Sequence, residues 1–237
     1  MLVVDTSASG GIEVGAQYLV QTTPVPAHVM TISYSTCESA AGSSRVAFWD
    51  TLFQQAAGEG ISVFVSSGDS GASGCDSHGD APPPANPVPN SPNYLCSSSY
   101  ATCVGGTEFN DAPSPSIFWS SNGLDGLSAL SYIPEGAWNE PLDSNSIPQV
   151  NASGGGVSSF IATPSWQTGT GVPAARAGRY TPDIAFSAAG HDGYFACFGP
   201  PAIVVSPVRA EATTLSISRH LGVNSFNGRN RRPVESE

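Results

Sequence analysis

The amino-acid sequence predicts an α/β fold in which helices flank a mostly parallel sheet. Two apolar runs of strand length, Val29 to Ser35 and Ile61 to Ser66, are separated by one helix-length segment. A strand, helix and strand in so short a span form a right-handed unit with parallel strands. Two further runs of strand type, Tyr100 to Phe109 and Pro182 to Ala188, extend the sheet. The 237 residues are enough for one large domain with a substantial core.

Two helices are predicted before residue 60. The first is a short amphipathic segment, Ile12 to Gln21, that ends before a pair of prolines. The second begins at a serine cap, Ser43 or Ser44, and runs to about Ala57, where two glycines stop it. Its apolar side chains share one face, which we expect to pack on the sheet: Val46, Trp49, Phe53 and Ala56.

The stretch from Ile61 to Gly71 indicates where a functional site would lie. Its apolar strand ends in a turn of serines and glycines that carries one carboxylate, Asp69. Open α/β sheets bind ligands just beyond the carboxyl ends of their strands. The preceding strand opens on the same edge, so that Ser33 to Ser35 and Ser67 to Asp69 should border one cleft. The alternative interpretation is a glycine turn with a solvated aspartate.

Charge and composition exclude several classes of partner. Only 11% of the residues are charged, none is lysine, and the net charge is -11, which argues against binding to nucleic acid or to an anionic membrane. So few cations suit an acidic medium, although a lysine-poor genome is an alternative explanation. No apolar segment approaches the ~20 residues that span a bilayer. No signal peptide opens the chain, so either none is made or the true N-terminus is missing.

Five cysteines lie in loops rich in glycine, serine and proline, with no CxxC motif and no histidine at zinc spacing. Disulfides are therefore expected rather than a metal site. Cys96 and Cys103 could close a short loop, and Cys37 and Cys75 both follow strand ends that should lie close together. Cys197 is then left over, and the sequence alone does not fix the pairing.

A long insertion rich in glycine, serine and asparagine follows the third strand. It carries three large aromatic residues, Trp119, Tyr132 and Trp138. Aromatic side chains in long loops usually pack against the surface beneath them. We therefore expect these three to hold the loop in place rather than to stack on a ligand.

Six short motifs occur in order along the chain: Ile-Ser-Tyr-Ser-x-Cys-Glu, Ser-Ser-Gly-Asp-Ser-Gly, Cys-Val-Gly-Gly-Thr-Glu-Phe, Gly-Gly-Gly-Val-Ser-Ser-Phe, Pro-Ser-Trp-Gln and Arg-x-x-Pro-Asp-Ile-Ala. Together they resemble the sedolisin, or serine-carboxyl peptidase, family, and especially its bacterial secreted members. The resemblance covers roughly residues 1 to 198. It implies a subtilisin-like α/β fold and an acid-active endopeptidase or tripeptidyl peptidase, made with a propeptide and binding one calcium ion.

The mechanism of that family implies a role for Asp69. The family's nucleophilic serine, in a Gly-Thr-Ser-x-x-x-Pro motif, is activated by a glutamate that an aspartate orients, so the general base works at low pH. A second aspartate, kept protonated, donates a hydrogen bond to the oxyanion. Asp69 matches that second aspartate. Ser33, Tyr34 and Ser35 match the strand edge that binds the substrate main chain.

Several parts of the family pattern have no counterpart in this sequence. The Glu-x-x-x-Asp pair belongs upstream of the block that matches residues 1 to 20, and no Gly-Thr-Ser occurs anywhere. The family's calcium loop follows its serine motif, so the resemblance assigns no metal ligand to this chain. We therefore expect a catalytic domain that is incomplete at both ends, folds marginally and is inactive as given.

The last 39 residues differ in character from the rest. Residues 1 to 200 hold three arginines against sixteen acidic residues, whereas residues 201 to 237 hold five against three. We expect a partial peptidase domain at residues 1 to 198 and an unrelated basic tail at 199 to 237, from a frameshifted or rejoined reading frame. A natural basic tail is the alternative.

Two functions from different classes follow. The first is a fragment of a secreted, acid-active serine endopeptidase, expected to be monomeric, whose substrates are polypeptides. The second is a catalytically dead module that keeps the peptide groove and binds extended peptides without cutting them. A His-dependent subtilase is a weaker alternative, because none of the four histidines lies in the glycine-rich motif that it needs.

Overall fold

The computed structural model describes residues 11–76, 85–112, 114–120, 129–143 and 145–192, together with the backbone of two later strands. The helices are α1 Gly11–Gln21, α2 Glu38–Ala41, α3 Ser43–Gly58 and α4 Pro115–Phe118. The strands are β1 Val29–Ile32, β2 Ser62–Ser66, β3 Ala101–Phe109, β4 Glu135–Ala137, β5 Gly156–Val157, β6 Tyr180–Thr181, β7 Ile184–Ser187, β8 Tyr194–Phe198 and β9 Val204–Val208.

The main sheet has five strands and is mostly parallel, as predicted. β1 pairs with β2, β2 with β3, and β3 with β7, all in parallel, whereas β4 pairs antiparallel with the end of β3. β1, α3 and β2 form the expected strand-helix-strand unit, with Val29 opposite Ser62. The carboxyl ends of β1 and β2 therefore open on one edge of the sheet.

One face of the sheet packs on α1 and α3 to form the main core. The predicted apolar face of α3 is confirmed, and Leu52 joins it. The predicted serine cap is wrong. The residue at the cap position is Gly42, no side chain caps the helix, and Ser43 and Ser44 already lie in the first turn. At the other end Gly60 has φ of +78°, a conformation that glycine adopts without strain.

The opposite face of the sheet is only partly covered by the residues that the structure describes. Side chains alternate across the pleat, so Val29, Ile184 and Phe186 all point away from the main core. Phe186 is 56% exposed, and Val29 and Ile184 are also exposed. Within the described helices, none is long and apolar enough to cross a membrane.

Both candidate cysteine pairs form disulfides, Cys37 to Cys75 and Cys96 to Cys103, which settles the pairing that the sequence left open. The first joins the segments that follow β1 and β2, and the second closes the loop before β3. The side chain of Cys197 lies outside the described residues, as do residues 209–237 of the predicted tail. β8 and β9 pair antiparallel across the proposed boundary near residue 198, and that boundary stays a prediction.

The three loop aromatics behave differently from one another. Trp138 is buried, and the indole of Trp119 donates a 2.7 Å hydrogen bond to Asp111 while its ring contacts Phe109. Both hold the insertion against the sheet, as predicted. Tyr132 is 79% exposed, so the expectation that it packs beneath the loop is wrong.

A fully buried arginine joins β3 to the segment before β7. The guanidinium of Arg179 donates a hydrogen bond to the carboxylate of Asp183 at 2.5 Å and lies 4.9 Å from the ring centre of Trp166. Asp183 also accepts a 2.8 Å hydrogen bond from the backbone N–H of Cys103. The guanidinium also donates to three backbone carbonyls, those of Ser98, Ala101 and Tyr180. Two of the sequence motifs, Pro-Ser-Trp-Gln and Arg-x-x-Pro-Asp-Ile-Ala, are thus joined by this arginine, although Trp166 itself is 53% exposed.

Candidate functional site

A cleft of about 210 Å³ lies at the carboxyl ends of β1 and β2. Asp69 lines it from the turn after β2, and Ser35 lines it from the extension of β1. The disulfide between Cys37 and Cys75 also lines this cleft. The structure therefore brings together the two segments that the sequence placed at this edge.

The turn that carries Asp69 is held by backbone hydrogen bonds on two sides. The N–H of Ser67 bonds to the carbonyl of Val104 in β3 at 2.8 Å. The Asp69 carbonyl accepts the N–H of Ala152 at 3.0 Å, and the Gly68 carbonyl accepts the N–H of Gly154 at 2.7 Å. Asp69 is half-buried. Its carboxyl group is thus placed at the cleft by a fixed backbone and not by a free loop.

The hydrogen bond between Gly154 and Gly68 requires a glycine at position 154. A Cβ atom added at Gly154 would lie 2.3 Å from the carbonyl oxygen of Ser67 and 3.0 Å from that of Gly68. Only glycine lets the two backbones approach this closely. The Gly-Gly-Gly-Val-Ser-Ser-Phe motif therefore supports the turn that carries Asp69.

Gly154→Ala should lower the free energy of unfolding by roughly 1–3 kcal/mol, because the turn must move to admit the new methyl group. Urea denaturation of the two proteins measures the difference. Gly58→Ala in α3 is the matched control, since an added Cβ there meets open space, and it should be neutral or slightly stabilising. Equal destabilisation by both substitutions would contradict this account of Gly154.

Ser33, Tyr34 and Ser35 lie beyond the observed end of β1, which is three residues shorter than predicted. All three are exposed. The backbone of Ser33 and of Ser35 forms no hydrogen bond with the other described backbone groups. An extended peptide could therefore add to this edge as a further strand.

The sequence did not indicate the role of two buried polar residues, Glu38 and Asn93, that hold segments around this cleft together. Glu38 accepts hydrogen bonds from the Ser158 hydroxyl and, at 2.7 Å, from the N–H of Ser159. Asn93 donates to the backbone carbonyls of Tyr34 and Ser66. The partners of Glu38 lie about 120 residues away in the chain. A local pattern gives no sign of such contacts.

A second polar cluster lies near the carboxyl end of β7. The His191 ring stands between two carboxylates, with Nδ1 3.1 Å from Glu140 Oε1 and Nε2 3.4 Å from Asp192 Oδ1. Trp138 Nε1 donates to Glu140 at 3.0 Å, and the N–H of Phe109 donates to Asp192 at 2.5 Å. The cluster ties the insertion to the segment after β7.

The pKa values of the two carboxyl groups in this cluster are shifted in opposite directions from their ordinary values. Burial raises the pKa of Asp192. Burial also acts to raise the pKa of Glu140, but hydrogen bonds from Trp138, His191 and the Gly190 N–H together outweigh it and leave that pKa lowered.

The contributions of Asp192 and Glu140 to the free energy of unfolding should therefore change with pH in opposite directions. The Asp192 contribution is complete below the ordinary carboxyl pKa and is lost as pH rises through the raised value. The Glu140 contribution is present above the ordinary pKa and is lost as pH falls through the lowered value. In thermal melts from pH 3 to 7, the Tm of Asp192→Asn relative to wild type should rise with pH, and that of Glu140→Gln should fall. Differences that do not vary with pH would contradict the assignment.

Among the described side chains, no group of three or more histidine, cysteine, aspartate or glutamate residues could hold a metal ion. The described residues therefore offer no acidic side-chain cluster for the calcium ion that the family resemblance implies.

No family model matches the chain. It is 30% identical over 234 residues to xanthomonalisin of Xanthomonas sp. (strain T-22), an alignment that covers 94% of this chain and 26% of xanthomonalisin. It is 32% identical over 191 residues to sedolisin of Pseudomonas sp. (strain 101), covering 78% of this chain and 28% of sedolisin. The chain thus spans about a quarter of the length of these curated relatives.

The solved structure of Pseudomonas sedolisin, a serine-carboxyl proteinase complexed with two molecules of pseudo-iodotyrostatin, has the same fold. Its TM-score is 0.59 at 32% identity, over 81% of this chain and 46% of that one. The parallel sheet seen here is consistent with a subtilisin-like α/β architecture. Sequence identity over most of the chain and a shared fold agree, and the chain belongs to the sedolisin family.

Proposed function

We propose that this chain is part of an acid-active serine endopeptidase and contributes its peptide-binding edge and its oxyanion-stabilising residue. The observation that carries the proposal is the cleft in which Asp69, on a fixed turn, lies beside the exposed edge at Ser33–Ser35. The substrates would be polypeptides, because an extended main chain can pair with a free strand edge whatever its side chains are.

In this mechanism the substrate pairs with Ser33, Tyr34 and Ser35, and its scissile carbonyl approaches Asp69. A protonated Asp69 donates a hydrogen bond that strengthens as negative charge develops on the carbonyl oxygen. Only the neutral carboxyl group can donate. The reaction should therefore proceed at acid pH and fail as Asp69 ionises.

The nucleophilic serine and its glutamate and aspartate have no match in the printed sequence. We infer that the 237 residues alone bind peptide without cutting it. We also infer that the protein is extracellular, in keeping with its two disulfides. We infer that it acts as a monomer. A module that binds peptides without cutting them is the second candidate, favoured by the exposed edge at Ser33–Ser35, which needs no catalytic group to bind a peptide.

A chimera separates these two functions. Residues 11–192 would replace the matching part of Pseudomonas sedolisin, and cleavage of a fluorogenic peptide would be followed from pH 3 to 8. A peptidase unit predicts cleavage that is greatest in acid. A folded chimera that binds the peptide and does not cut it favours the binding module. Cleavage that is greatest at neutral pH would contradict the role of a protonated Asp69.

A further inference from the structure

Asn93 is a buried residue that contacts both sides of the cleft. It is 3% exposed, and its Nδ2 donates hydrogen bonds to the Tyr34 carbonyl at 2.9 Å and to the Ser66 carbonyl at 2.8 Å. Its Oδ1 accepts the N–H of Leu95 at 3.2 Å. Because two partners are carbonyl oxygens, which only accept, the nitrogen must face them and the amide has one possible orientation.

These two carbonyls belong to the segments that the proposed function uses. Tyr34 is the middle residue of the peptide-binding edge, and Ser66 ends β2 three residues before Asp69. One amide group therefore sets the spacing between the edge and the turn. The backbone around it adds to this link, since Cys37 forms an antiparallel bridge with Asn93.

We propose that Asn93 is a positioning residue that fixes the peptide-binding edge relative to Asp69. The inference rests on the proposed function of these two segments. An amide suits this task in a protein that works in acid, because it does not ionise and keeps both donors at every pH. An aspartic acid at the same position has only one donor, which it would lose on ionising, and the carboxylate would then repel both carbonyl oxygens.

Three variants test the proposal. Asn93→Asp keeps the shape and makes the donor titratable, Asn93→Ser shortens the side chain without adding charge, and Asn110→Asp repeats the first change at an exposed position that does not line the cleft. Binding of a fluorescein-labelled octapeptide is measured by polarisation at pH 3 and pH 7. Asp69 and Asp76 also line the cleft and carry carboxyl groups, so each variant is compared with wild type at the same pH.

Asn93→Asp should bind at least about tenfold more weakly than wild type at pH 7, because two hydrogen bonds are lost. At pH 3 the protonated carboxyl donates one of them again, and the loss should shrink to about threefold. Asn93→Ser should lose affinity equally at both pH values, and Asn110→Asp should lose none. A folded Asn93→Asp whose loss is the same at both pH values would overturn the proposal.

Amide hydrogen exchange provides a readout that needs no bound peptide. In Asn93→Ser the hydrogen-bonded amides of Ser67 and Gly71 in the turn, and of Tyr94, which donates to the Thr36 carbonyl next to the edge, should exchange faster, while those of α3 stay unchanged. This result would support the positioning role even if wild type bound no peptide, in which case the proposed function alone would fail. If Asn93→Asp does not fold, Asn93→Ser decides, and unchanged exchange at the Ser67, Gly71 and Tyr94 amides would overturn the inference.

Discussion

Replacing Asp69 by alanine should lower the kcat of an active chimera by about 100-fold or more. The loss removes a donor aimed at charge that develops only in the transition state, and such donors are worth ~10²–10³ in kcat. KM should change little, since the peptide edge at Ser33–Ser35 is untouched. Initial rates at pH 4 over a range of peptide concentrations give both constants.

Asp69→Asn is the informative companion to that substitution. An amide donates at any pH, whereas the carboxyl donates only when protonated. Asparagine should therefore retain more activity than alanine, and its activity should extend to higher pH than that of the wild-type chimera. An alanine variant as active as its parent would remove Asp69 from the mechanism.

Arg179→Met should lower the free energy of unfolding by about 3–5 kcal/mol, the usual cost of breaking a buried ion pair at one partner. Methionine fills part of the volume but leaves the Asp183 carboxylate without its cation. It also leaves the Ser98 and Ala101 carbonyls without their arginine donor, whereas the Tyr180 carbonyl keeps a 2.7 Å hydrogen bond from Gln167. Urea denaturation of the chain measures this difference.

Arg45→Ala is the matched surface control. Its ion pair with Glu13 is exposed, with 47% of the arginine side chain accessible, and such pairs contribute roughly 0–1 kcal/mol. The two arginine variants should therefore differ several-fold in their effect. Similar small losses in both would show that the Arg179 network does not hold the fold.

The sequence predicted the parts of the fold that depend on local patterns. Residues close in the chain determine the apolar face of α3 and the strand that ends before Asp69. The two disulfides join cysteines that are close in the chain or that follow adjacent strand ends. Hydrophobic periodicity carries such information directly. The exception was the helix cap, where a serine preference did not decide the outcome and the chain entered α3 from a glycine.

What the sequence did not predict depends on distant contacts. Asn93 holds two carbonyls that are 59 and 27 residues away in the chain. Gly154 supports the turn at Ser67 from still farther along the chain, and neither residue belongs to a periodic pattern. Tyr132 was expected to pack like its neighbours, yet it lies exposed. Residue type alone does not reveal which partner a folded chain will supply.

The most direct test of this account is the hydrogen exchange of residues 33–35, with and without the labelled octapeptide at pH 4. We expect the peptide to slow exchange at the Ser33 and Ser35 amides by about tenfold or more, because these two would become donors in a new strand pairing, while α3 amides stay unchanged. Unchanged exchange at residues 33–35 in the presence of bound peptide would contradict the account, since the peptide would then bind elsewhere.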